Sequence, residues 1–204
     1  MPSLSLVLSG PTTDYSSFTT AYASDNLVTN IAGVSGSGGV YTYTMTNAIP
    51  ADAKGSFAMH IAGRRDIKLL EGTKKEQTAR DVGVNKIVYF SVDGSPVAPR
   101  RKIVDIAKCD ACHTGLNMHG GGRNQIEACV MCHNPIRQGG SGENAESVDF
   151  RWMIHKLHSG AELTRGYKFG NYDYSGIGFP GRLNNCNMCH VGNSQQLPVK
   201  AVQP

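Results

Sequence analysis

The chain has 204 residues, 40% of them hydrophobic and 18% charged, which suits one ordinary domain or two small ones and excludes a disordered chain. Basic residues exceed acidic ones by four, with no basic block long enough for a nucleic-acid arm, and no run approaches the roughly 20 apolar residues of a membrane-spanning helix. Neither a nucleic-acid partner nor a transmembrane segment is expected, while 24 glycines and only 7% aromatics make a thin side-chain core that something else must fill.

The opening Met1-Pro2-Ser3-Leu4-Ser5-Leu6-Val7-Leu8 lacks the basic start and the length of a secretory signal, so any export signal is expected to have been removed from this numbering. Period-2 stretches at residues 4–8, 41–46, 57–61 and 84–92, divided by glycine, proline and Asx clusters, predict an all-β domain over residues 1–100, a sandwich or barrel. In Phe57-Ala58-Met59-His60-Ile61 the histidine alternates with three large apolar residues, which predicts His60 on the solvent side of its strand. A second domain follows over residues 101–192, the boundary falling near residues 99–108. Within it, Phe150, Met153, Ile154 and Leu157 recur at helical spacing, with Asp149 as cap and Gly160 as stop, and predict a short helix over residues 148–158. Residues 193–204 carry no periodicity and read as a tail or an inter-subunit arm.

The six cysteines fall into three pairs of one spacing, each followed at once by histidine: Cys109-Asp110-Ala111-Cys112-His113, Cys129-Val130-Met131-Cys132-His133 and Cys186-Asn187-Met188-Cys189-His190. That spacing lets two thiols reach the two vinyl groups on one edge of a porphyrin while the next residue swings its imidazole under the iron. Each pentapeptide is therefore a covalent haem handle, and three haem c groups are expected. The 16-residue gap between the first two pairs also fits a zinc ribbon, but zinc leaves the third pair unmatched. With 7 histidines in 204 residues, a histidine after all three pairs by chance has odds of about 4 in 100,000. Three disulfides would close only trivial loops, and no pair lies in the strand-helix unit of a thioredoxin-like motif.

Three irons have six axial positions, of which His113, His133 and His190 fill three. His60, His119, His155 and His158 remain, enough to close every iron with one to spare. Closed irons carry electrons and do not readily bind small oxidants. His155 and His158 lie one helical turn apart, so each can address a different porphyrin. His119 follows its nearest handle histidine by six residues, too few to loop comfortably over the same haem, and is better placed to cap a neighbour. His60 is the spare.

The run Cys109 to His113 with His119-Gly120-Gly121, then Cys129 to His133 with Asn134-Pro135, then Met153-Ile154-His155-Lys156-Leu157-His158-Ser159-Gly160, then Phe179-Pro180-Gly181 ahead of Cys186 to His190, resembles one haem module of the OmcA/MtrC-type outer-membrane decahaem cytochromes. Tyr41-Thr42-Tyr43-Thr44, Ala48-Ile49-Pro50, Gly63-Arg64-Arg65 and Arg100-Arg101-Lys102-Ile103-Val104-Asp105 are similar to the β-domain that precedes the haems in that family. The resemblance covers most of residues 38–192. It implies a Greek-key split β-barrel before a loop-rich bis-histidine haem domain with short α-helices, exported and passing electrons to minerals or other extracellular acceptors. It supports His119, His155 and His158 as distal ligands. A periplasmic location is the second choice.

The chain ends 14 residues after His190, so a shortened three-haem member is expected, with every cysteine on haem and none for a lipid anchor. Three haems make a short wire, and the electron must pass to another multihaem cytochrome or to a second copy. Copies joined end to end would form a filament, in which His60 could be a ligand donated across the interface. The alternative is a terminal reductase with one open iron, recognisable by high-spin haem and carbon monoxide binding.

Overall fold

The computed structural model describes residues 2–16, 22–141 and 145–196. The first half is built on one antiparallel sheet. Strand β1 (Ser3–Ser9) lies between β2 (Ala23–Asn26) and the long β5 (Ser56–Leu69), whose other edge carries β6 (Gln77–Val82) and β7 (Lys86–Ser91) end to end. Between the last two, Arg64 opposes Val82 while Ile61 opposes Lys86, so Ala62 and Gly63 face three residues, Gly83, Val84 and Asn85. One extra residue on one strand is a bulge, which bends the strand and turns its side chains aside. A separate hairpin of β3 (Val34–Ser37) and β4 (Val40–Tyr43) turns at Gly38 and Gly39, both left-handed, as a two-residue hairpin loop requires.

No closed barrel forms: among the described residues the sheet stays open. β2 ends one side and β6 with β7 the other, and no ladder joins these edges. The sheet is covered on both faces instead. On one face Leu8, Ala23 and Phe57 pack with Met45, Ile49 and Ala53. On the other, Val7, Tyr15 and Ala58 pack with Met131, Val130 and Cys132 from the second half of the chain.

The second half has little regular structure. It contains α1 (Ile106–His113), α2 (Ile126–Cys132) and α3 (Phe150–His158), with two-residue hairpins β8 (Gln138–Gly139) to β9 (Glu146–Ser147) and β10 (Lys168–Phe169) to β11 (Tyr172–Asp173). Its buried hydrophobic residues among those described are Ile126, Ala128, Met131, Val148, Met153 and Tyr167, too few for a self-sufficient core. Of the stretch read as a tail, residues 193–196 form a turn against the segment of Cys186 to His190 before them, and residues 197–204 lie outside the described residues.

Candidate functional site

The first two cysteine pairs fold as helices. In α1 the Asp105 carboxylate accepts the Ala107 N–H at 2.9 Å and caps the helix, placing Cys109 and Cys112 one turn apart on a common face with His113 at the end. In α2, Ile126, Ala128 and Met131 are buried, and His133 closes the helix by donating its N–H to the Cys129 carbonyl. The third pair forms a 3₁₀ turn, Cys186–Met188, in which the His190 N–H reaches the Cys186 carbonyl at 2.9 Å. Lys108 ties this turn to α1 by donating to the His190 carbonyl at 2.8 Å.

Helix α3 begins at the buried Asp149, whose side chain accepts the Arg151 N–H at 3.1 Å. Its two histidines use their own helix as support: His155 Nδ1 lies 2.6 Å from the Arg151 carbonyl and His158 Nδ1 2.9 Å from the Ile154 carbonyl. His133 Nδ1 likewise meets the Val148 carbonyl at 2.9 Å. A carbonyl can only accept, so Nδ1 carries a hydrogen in all three rings, which in a neutral ring leaves the lone pair on Nε2, the arrangement a metal-binding imidazole needs. His190 follows by a short relay. The Ser194 hydroxyl donates to the Ile103 carbonyl at 2.8 Å, which leaves its oxygen to accept from His190 Nδ1 at 3.0 Å.

Six of the seven histidines then meet in twos. Ring centroids are 6.1 Å apart for His113 and His158, 5.8 Å for His119 and His133, and 6.1 Å for His155 and His190. An iron bonded on both sides at about 2 Å per nitrogen would set two imidazole centres about 6 Å apart. Plain aromatic contacts span the same distance. What separates the two readings is the pattern, since every handle histidine faces a non-handle histidine and no handle is left out. Among the described residues, no group of three or more His, Cys, Asp or Glu side chains converges as a site for a bare metal ion. Pairs suit a porphyrin iron, which takes its other four ligands from the macrocycle.

Burial holds His119, His133 and His190 below the ordinary histidine pKa, with the Arg123 charge adding to the effect at His119, so these rings are biased to the neutral form that can ligate. Burial also pushes the Cys129 and Cys132 thiols up to about 12 and about 11. Redox-active thiols are held as thiolates by nearby positive charge, which burial outweighs here. Beside the third handle lies a cavity of about 570 Å³ lined by His155, Cys186, Cys189 and His190 and reaching His133 and His158. That is a volume in the range of cofactor sites.

His60 is not where alternation puts it. It is fully buried, on the sheet face shared with Ala58 and Val7 that packs against α2, and neither ring nitrogen has a partner among the described residues. Alternation identifies which residues share a face, and here both faces are covered. Burial, helped by the Arg123 charge, lowers its pKa to about 4. Enclosed in its own sheet and outside the three ring pairs, it is not positioned to be donated to a neighbouring copy.

The loop carrying His119 is held by residues whose role no sequence motif signals. Arg64 Nη1 donates to the carbonyls of His119 at 2.8 Å and Gly120 at 2.6 Å, and Arg80 Nη1 reaches Gly120 at 3.0 Å. Asn85, in the bulge, exchanges hydrogen bonds with Asn124: each backbone N–H donates to the other's side-chain oxygen, at 2.9 and 3.1 Å.

The family described as outer membrane cytochrome MtrC/MtrF-like, domains II/IV, matches residues 101–203, the segment that contains all three handles and all six paired histidines. A search of curated proteins finds no match to the chain.

Proposed function

We infer the function from the premise that the chain belongs to the outer membrane cytochrome MtrC/MtrF-like family and is thus a multihaem c-type cytochrome of electron transport. Membership implies exposure at the cell surface or outside it, and exchange of electrons with other cytochromes and extracellular acceptors. Among the described residues no helix is long and apolar enough to cross a membrane.

Within that frame, three haem c groups are held as thioethers at Cys109 and Cys112, Cys129 and Cys132, and Cys186 and Cys189, in a haem domain over residues 101–192 that follows the sheet domain of residues 1–100. The histidines that would ligate the irons pair as His113 with His158, His133 with His119, and His190 with His155. The observation that carries this reading is the facing of three handle imidazoles by three others at 5.8 to 6.1 Å. When bound, each haem supplies a ferric/ferrous couple that takes and returns one electron. The chain's part is to fix that couple. Backbone carbonyls hold the rings of His133, His155 and His158 with Nε2 bare, and Ser194 does the same for His190. Helix α3 holds two axial rings one turn apart, which ties two haems to one rigid element.

With every iron closed on both sides, the chain is an electron carrier that passes charge to another cytochrome, a second copy or a mineral. The test is to mature the protein and record its intact mass and spin state. Three added haems, all low-spin and inert to carbon monoxide, are expected. A high-spin component that binds carbon monoxide would overturn the carrier reading in favour of a terminal reductase with an open iron, and fewer than three haems would overturn the count.

A further inference from the structure

The three non-handle histidines of the ring pairs are supported in different ways. His155 and His158 ride on α3 and bond to its own carbonyls. His119 sits in a loop where it, Gly120 and Gly121 all adopt left-handed backbone, with φ of 54°, 69° and 91°. That region is disfavoured for a residue with a Cβ, and the following glycines give the loop no preference of its own for this shape. Something must hold it, and what holds it comes from the sheet.

Arg64 of β5 spans two consecutive carbonyls, those of His119 and Gly120, and Arg80 of β6 takes the second as well. Arg80 is fixed in turn by Asp66, its neighbour across the β5–β6 ladder, whose carboxylate accepts from Arg80 Nε at 2.9 Å. The approach is so close that a Cβ on Gly120 would fall onto the Arg64 guanidinium, and one on Gly121 would lie 3.1 Å from Val82. The far end of the loop is pinned by Asn85 with Asn124, by Asn124 to the Gly83 carbonyl, and by Arg123 to Ser5. With both carbonyls turned to the sheet, the His119 ring faces His133.

We propose that Arg64 and Arg80 are positioning residues for the distal imidazole of the haem at Cys129 and Cys132, so that the sheet determines how firmly this one iron stays closed. The inference rests on the assignment of His119 as that ligand. Without the two guanidiniums the loop samples other conformations, His119 spends less time on the axis of His133, and one iron of the three becomes accessible. The other two, capped from α3, do not.

The experiment compares the matured wild-type chain with R64A/R80A and, as a control for lost sheet charge, R65A; Arg65 pairs with Asp81 and makes no bond to the loop. Absorption spectra, carbon monoxide binding to the reduced protein and the three midpoint potentials are read for each. In R64A/R80A, high-spin character and carbon monoxide binding should appear at up to one haem in three, at least tenfold above wild type, with one potential shifted and R65A like wild type. Spectra, binding and potentials in R64A/R80A matching those of R65A overturn the proposal. Should the double variant fail to mature, R64M is read in the same way, because methionine keeps a stem of similar length but has no donor for either carbonyl. A smaller open fraction at one haem supports the clamp, and a wild-type spectrum overturns it. An open iron already present in the wild type would instead count against the closed-iron reading itself.

Discussion

His60 gives a test of the fold that is independent of the handles. The ring is fully buried and its pKa is lowered from 6.5 to about 4, chiefly by burial and secondly by Arg123. Because the folded value lies below the unfolded one, the unfolded chain binds the extra proton between about pH 6.5 and pH 4. Stability is therefore untouched above pH 6.5 and falls as the pH drops through that window. At about 1.36 kcal/mol per unit, the loss reaches about 3 kcal/mol near pH 4. Replacing the ring by leucine, H60L, removes this contribution, and it also removes two unpartnered polar atoms whose burial costs about 1–3 kcal/mol. Urea unfolding followed by Trp152, the single tryptophan, measures both effects, since haem quenches its emission in the folded state. Other histidines add their own acid sensitivity to both proteins, so the informative quantity is the difference between them. H60L should be about as stable as wild type or slightly more so at pH 7.5, and about 3 kcal/mol more stable relative to wild type near pH 4. An unchanged pH slope, or a loss above about 1 kcal/mol at pH 7.5, would show that the ring has a partner and refute the argument.

Three further outcomes follow from the packing. Asp149→Ala removes the cap of α3 and should cost about 1 kcal/mol in urea unfolding, with the potentials of the haems served by His155 and His158 moving. Gly160→Ala should cost about 3 kcal/mol or prevent maturation, because a Cβ there would fall onto the Tyr174 carbonyl, a backbone atom with no room to yield; the yield of haem-loaded protein reports it. Met131→Ala empties a fully buried site between α2 and the sheet and should cost about 2–5 kcal/mol, measured by the same unfolding assay.

What the sequence reveals depends on how far apart the cooperating residues lie. The handles are legible because porphyrin chemistry demands contiguous residues, and α3 because Phe150, Met153, Ile154 and Leu157 fall at helical spacing behind an aspartate cap. α1 and α2, of eight and seven residues, are too short for periodicity to register. β6 escapes for a different reason. Its residues Gln77-Thr78-Ala79-Arg80-Asp81-Val82 are mostly polar because that end of the sheet is wet, and the strand exists through pairing with β5 rather than through an apolar face. The partners of His119, His155 and His158 are set by how the loop and α3 lie across the handles, which spacing along the chain does not contain. Arg64 and Arg80 look like ordinary strand cations, and only their reach to carbonyls 40 to 56 residues away gives them a role.

These long-range contacts also bear on how the two halves depend on one another. Met131 lies inside a handle, between the two cysteines it separates, and is at the same time part of the sheet's own core with Val7, Tyr15 and Ala58. The polar side of the same contact runs from Arg64, Arg80, Asn85 and Ser5 to the loop that precedes α2. Both ends of the segment that bears His119, Cys129, Cys132 and His133 are thus set by the sheet. The first and third handles are joined to each other through Lys108 and served by α3. The second half therefore divides by its support rather than by its sequence: two histidine pairs share α3, and the third shares its loop and its helix with the sheet. A perturbation of the sheet should reach one redox centre before the other two, and that asymmetry follows from where the apolar and polar contacts fall rather than from any difference among the three handles.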